Sequence, residues 1–105
     1  MYFISVCYRQ PEDQAAFDKY YAEIHTPLVL KIPKLVTIAT GKCVSLSKKE
    51  APFYMVANLY FETAADLEEA LRSPEMQAAG ADVANFASGG VVQYWQEENV
   101  IFERN

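Results

Sequence analysis

Histidine, cysteine and glycine are all scarce in this chain: one, two and four in 105 residues. Each shortage excludes something. His25, Cys7 and Cys43 are scattered and do not make the paired spacings of a zinc site. Two cysteines are too few for a secreted disulfide framework. No Walker loop, dinucleotide glycine fingerprint or metalloprotease histidine pair is present. Positive charge is short as well. The net charge is −5 and the densest basic run is Lys48-Lys49, which argues against a nucleic-acid partner. No apolar run approaches the roughly 18 residues of a membrane span, so no membrane segment is expected. The start, Met1 to Cys7, lacks a basic region and a cleavage-type end, and reads as a strand. The resulting expectation is a cytoplasmic protein with no metal and no bound cofactor.

What is abundant is apolar and aromatic. The chain is 51% hydrophobic and 22% charged, with six Phe, seven Tyr and one Trp. That composition predicts one folded domain over 1–105. So many aromatics point to a large core, a ligand pocket or an interface.

Residues 2–8 read as a first strand. Gln10-Pro11-Glu12-Asp13 is a turn that opens a helix running to about His25. In that helix Phe17, Tyr20, Tyr21, Ile24 and Leu28 recur at helical spacing and predict one apolar face. His25 falls roughly 80° around from Phe17, at the rim of that face. Pro27 disfavours the α region at Thr26, so the helix should end there. A histidine in that position admits two readings. It can cap the free carbonyls of a helix C-terminus. It can also be an acid/base, since it titrates nearest neutrality.

Residues 35–46 predict a second strand bent at Gly41, followed by a charged loop over 47–52. Phe53 to Phe61 is the clearest strand. Thr63 then caps a helix, Ser73-Pro74 restarts it, and Ser88-Gly89-Gly90 breaks it. Residues 91–96 form the last strand, before an apolar tail at Val100-Ile101-Phe102. The order β-α-β-β-α-β predicts an α+β, ferredoxin-like antiparallel sheet with both helices on one face. Yet both faces of the strands are largely apolar. Two helices cover only one face, so the other calls for a second copy of the chain, sheet against sheet.

The segment Phe17-Asp18, Tyr20-Tyr21, His25, Pro27-Leu28-Val29 resembles the signature of the EthD family of dimeric α+β barrels. Asn58-Leu59-Tyr60-Phe61, and then Asp82, Asn85-Phe86 and Gln93, extend the likeness over roughly residues 2–102. Where relatives often continue with Thr and Asp, this chain has Ala87-Ser88-Gly89-Gly90. The resemblance implies a homodimer whose two sheets share a barrel with the helices outside. It also implies a substrate cleft between helices and sheet, with His25 pointing into it. Members are linked to ether and aromatic degradation and to polyketide-type tailoring.

Within such a cleft, His25 is the candidate catalytic residue. Phe17, Tyr21, Tyr54, Asn58, Tyr60 and Trp95 are the candidates for holding a flat, apolar substrate: a phenol, quinone or polyketide-like compound. His25 can take or return a proton beside a carbonyl or on a phenol, while a tyrosine or Asn58 donates to the oxygen gaining charge. This predicts a cofactor-independent oxidoreductase, oxygenase, isomerase or cyclase. Hydride transfer would need a nicotinamide or flavin, and no fingerprint for one is present. The alternative is a non-catalytic, small-molecule-binding or accessory dimer in a degradation pathway. Cys7 reads as a small buried hydrophobe. A Cys7–Cys43 disulfide is not expected, because strand three should separate the two strands by roughly 9–10 Å.

Overall fold

The computed structural model describes residues 1–105. Four strands form one antiparallel sheet: β1 (Tyr2–Tyr8), β2 (Thr37–Lys42), β3 (Met55–Phe61) and β4 (Val91–Glu97). Their order across the sheet is β2-β3-β1-β4, the α+β ferredoxin-like arrangement. β1 and β3 are central. Ile4 sits between Leu59 and Trp95, and Ser5 between Asn58 and Tyr94. Because side chains alternate, this register sends Ile4, Val6, Tyr8, Ala57, Leu59 and Phe61 to one face. The helices cover that face, and the core lies between: Phe61, Leu67 and Ala70 are fully buried there.

The helices begin where the sequence has cap residues. Asp13 accepts from the Ala16 N–H and opens α1 (Gln14–Tyr20). Thr63 accepts from the Asp66 N–H and opens α3 (Ala64–Leu71). Ser73 accepts from Met76 N–H, and with Pro74 behind it opens α4 (Pro74–Asp82). A cap of this kind stabilises a helix by about 1 kcal/mol. No helix is long and apolar enough to cross a membrane.

Three expectations need correction. The first helix does not stop at His25. It passes through a π-helical turn, Tyr21–His25, into α2 (Thr26–Val29), and Thr26 is in the α region with φ −55° and ψ −46°. The second strand covers Thr37–Lys42, not 35–46. Its pairing with β3 ends at Lys42 and Met55, so Val44 and Leu46 leave the sheet and stand exposed. Third, β3 starts at Met55. A bend at Tyr54 turns that ring onto the helix face, against Phe17, instead of onto the face of Val56 and Tyr60.

The face away from the helices is uncovered. Phe3 packs on Tyr60 there, Ser5 donates to Asn58 Oδ1 at 2.6 Å, and the Cys7 thiol lies 3.9 Å from the Tyr94 hydroxyl. Cys7 and Cys43 are free thiols.

Candidate functional site

The π turn places the histidine. Pro27 has no N–H, and in a continuous α-helix its ring would collide with the Glu23 carbonyl. Widening the turn by one residue avoids this. The Tyr21 carbonyl accepts the Thr26 N–H, five residues on, and also the Thr26 hydroxyl at 2.8 Å. The extra residue rotates the helix. The inward face becomes Phe17, Tyr21, His25 and Val29, while Ile24 turns out to 49% exposure. His25 therefore lies at the centre of the buried face, only 4% exposed. It sits mid-helix, which removes the C-terminal cap reading.

Asp82 meets His25 from the end of α4. Its Oδ2 is 3.0 Å from His25 Nδ1. Its Oδ1 accepts from the Tyr20 hydroxyl at 2.6 Å and from the Asn85 side-chain amide at 3.0 Å. Burial alone would raise the Asp82 carboxyl, but these hydrogen bonds outweigh it and hold the group below its ordinary range. Burial lowers the His25 imidazole below its ordinary value, and Asp82 only partly restores it. Near neutral pH the pair is thus a carboxylate and a neutral imidazole. A carboxylate only accepts, so Nδ1 carries the proton and Nε2 keeps its lone pair.

Nε2 has no hydrogen-bond partner, and no fully buried side-chain nitrogen or oxygen is left unpartnered. Nε2 must then be reachable. It opens onto a narrow slot between helices and sheet with a cavity volume of about 40 Å³. The slot is walled by Val29, Ile32, Leu59, Met76 and Val83, with Gly80 beside them and Gln93 on β4. Tyr8 and Tyr21 complete it. By the same reasoning their hydroxyls, which bond to no protein group, also reach the slot. Burial pushes Tyr21 up to about 12. Burial, with the charges of Tyr21 and Asp82, raises Tyr8 further still. Both are neutral donors. No Lys or Arg lines the slot, and no three of His, Cys, Asp and Glu gather as a metal set.

The residues expected at the site separate into groups. His25 and Tyr21 come together at the slot. Phe17 packs behind Tyr21, with ring centroids 6.0 Å apart. Tyr54 lies beyond Phe17, where its hydroxyl donates to Asp18 and receives from Lys42 at 2.8 Å, closing a surface clamp between helix and strand. Trp95 is on the helix side of β4 but at its far end, beside Tyr2 and half exposed. Asn58 and Tyr60 lie on the open face, because they alternate with the inward Ala57 and Leu59. The sheet therefore stands between them and His25. Tyr8, Gln93 and the orienting role of Asp82 were not expected. Tyr8 was available from strand parity, since it shares a face with Ile4 and Val6.

A family model for the EthD domain matches residues 9–90. The chain belongs to the EthD family. It is 46% identical over 101 residues to an uncharacterised 11.0 kDa protein of Rhodococcus erythropolis, encoded in the thcB–thcC intergenic region. The match covers 96% of this chain and 98% of that one. Among solved structures it is similar to an ethyl tert-butyl ether D family protein of Bacillus halodurans, with a TM-score of 0.86 and 33% identity over 94% of this chain and 99% of that one. A dimeric ferredoxin-like protein of Thermobifida fusca shares the fold, with a TM-score of 0.66 and 14% identity over 90% of this chain and 88% of that one.

Proposed function

We propose that this protein is a small-molecule enzyme that moves a proton on a neutral, apolar substrate, with His25 as the base and Asp82 as the group that orients it. One observation carries the reading. A neutral imidazole, fixed in one tautomer by a carboxylate, presents a free lone pair to an apolar slot. An acid or base works best when it titrates near the working pH and is already aimed. A phenol, quinone or β-keto compound matches the slot in polarity. Asp82 and the absence of lining cations disfavour an anion. In the forward step a C–H proton beside a carbonyl passes to Nε2, and the bonding electrons move onto the carbonyl oxygen as an enolate. The imidazolium so formed is stabilised by Asp82. Return of the proton at another carbon completes an isomerisation. Attack of the enolate carbon on a second carbonyl carbon of the same substrate, whose oxygen takes the bonding electrons and the proton from the imidazolium, completes a cyclisation. No cofactor is called for in these steps.

A second copy of the chain on the open sheet face belongs to the same reading. An open face carrying Phe3, Val56, Tyr60 and Tyr94 supports it, as does the dimeric Thermobifida fusca protein of the same fold.

The test follows carbon-bound hydrogen exchange. A panel of quinones, phenols and β-keto compounds is first screened for ligands that raise the melting temperature. Those ligands are then incubated with protein in D2O and read by NMR. The wild type should catalyse exchange beside the carbonyl of a β-keto ligand. His25→Ala should abolish it while the ligand still shifts the melt. Binding without any His25-dependent exchange would favour the accessory, non-catalytic dimer.

A further inference from the structure

Resting on that reading, we infer that Tyr8 and Tyr21 form a paired-hydroxyl site for the oxygen anion that the substrate develops. Their rings meet edge to face with centroids 5.8 Å apart, one from the last residue of β1 and one from the start of the π turn. The Tyr21 ring lies 5.2 Å from the His25 ring. Neither hydroxyl bonds to any protein group, although Tyr8 is 1% exposed and Tyr21 8%. No buried side-chain oxygen lacks a partner, so each of these hydroxyls, unpaired within the protein, keeps an opening toward solvent or a ligand. Tyr20, one residue away, shows the usual solution: its hydroxyl is spent on Asp82. Tyr8 and Tyr21 keep theirs for whatever enters the slot.

The chemistry of the pair selects the substrate. Two neutral donors serve an oxygen that is neutral on entry and negative after proton loss. A ligand already anionic would find no cation in the lining, with the Asp82 carboxylate behind His25 adding repulsion. The class is therefore a phenol or an enolisable carbonyl whose oxygen sits between the two hydroxyls while its acidic proton faces Nε2.

The probe is 4-nitrophenol, whose ionised form absorbs in the visible, with 4-nitroanisole as the analogue that cannot ionise. In the wild type, the bound phenol should ionise at lower pH than the free phenol. Tyr8→Phe and Tyr21→Phe should each move that midpoint back, by about tenfold in the ratio of phenolate to phenol, as expected for one lost hydrogen bond to a charged oxygen. Neither change should lower the melting temperature, since the lost hydroxyls hold nothing in the free protein, and the loss in 4-nitroanisole binding should be smaller than the loss in phenolate. If 4-nitrophenol binds as the neutral phenol, or the Phe variants leave its midpoint unchanged, the paired-hydroxyl site is overturned while the His25 slot survives. If neither probe binds the wild type, the slot itself is refuted and this inference falls with it.

Discussion

On the open face of the sheet, the polar groups of the central strand close on their neighbours; in the slot behind it, three polar atoms stay free. Ser5 spends its proton on Asn58, and Cys7 lies against Tyr94. Behind the sheet, His25 Nε2 and the hydroxyls of Tyr8 and Tyr21 are left free. Both faces are rich in aromatics, and composition alone would not tell them apart. The difference is in satisfaction. The polar groups of the central strand on the open face, Ser5 and Cys7, already have partners, so another protein surface can cover them without stranding either. A slot whose polar groups are unpaired is ready for a ligand.

The contrast can be broken most directly from the open side. Tyr60→Glu places a charge where a second sheet is expected, and an uncompensated buried charge costs about 3–5 kcal/mol. Light scattering should give a dimer for the wild type and a monomer or aggregate for the variant. A monomeric wild type would make the open face an ordinary surface. Next in size is Leu67→Ala, behind the sheet. It removes a side chain of 0% exposure and should cost about 2–5 kcal/mol in denaturant unfolding. The same truncation at half-exposed Leu71, on the same helix, should cost far less.

A pH series sharpens the comparison further. His25 has a folded pKa below its unfolded one, so the folded state binds fewer protons in the window between them. Stability should be flat above the ordinary histidine value and should fall as pH drops through that value toward the lowered one. Asp82 adds its own loss only lower, as pH falls into the carboxylate range. His25→Gln should flatten the first window alone in urea midpoints measured across pH. A Ser5→Ala variant on the open face should keep it. The smallest expected effect is Gly80→Ala, which should stabilise α4 by roughly 0.5–1 kcal/mol in thermal melts, since a Cβ there meets no neighbour.

The fold was readable because its signals are local. Asp13, Thr63, Ser73 and Pro74 mark helix starts through bonds that span three residues, and strand alternation needs only a period of two. The site was half readable. His25 and Tyr21 stand out in a chain with one histidine. Asp82 is 57 residues from its partner, and no pattern within a helix announces such a contact. The π turn misled the periodicity. Counting at 100° per residue put Ile24 and Leu28 inward and His25 at the rim, whereas one extra residue in the turn exchanges those places. Asn58 and Tyr60 failed as slot residues for a simpler reason. They have the opposite parity to Ala57 and Leu59 along β3, and a period of two is enough to assign them to the other face.

The His25–Asp82 bond can also be seen as a rivet. It is a buried side-chain tie between the helical limb that follows β1 and the one that follows β3. When the imidazole is neutral the rivet is an N–H donated to a carboxylate; when it holds the substrate's proton both partners are charged and the tie becomes a buried ion pair, which gains attraction but sets a charge in a dry place. Because burial outweighs that gain and lowers the imidazole, the protein would be loosest at the moment it carries the proton and tightest before and after. Amide exchange over minutes to hours, which reports local opening, should quicken together in α2 and α4 as His25 is charged, although the two helices are far apart along the chain.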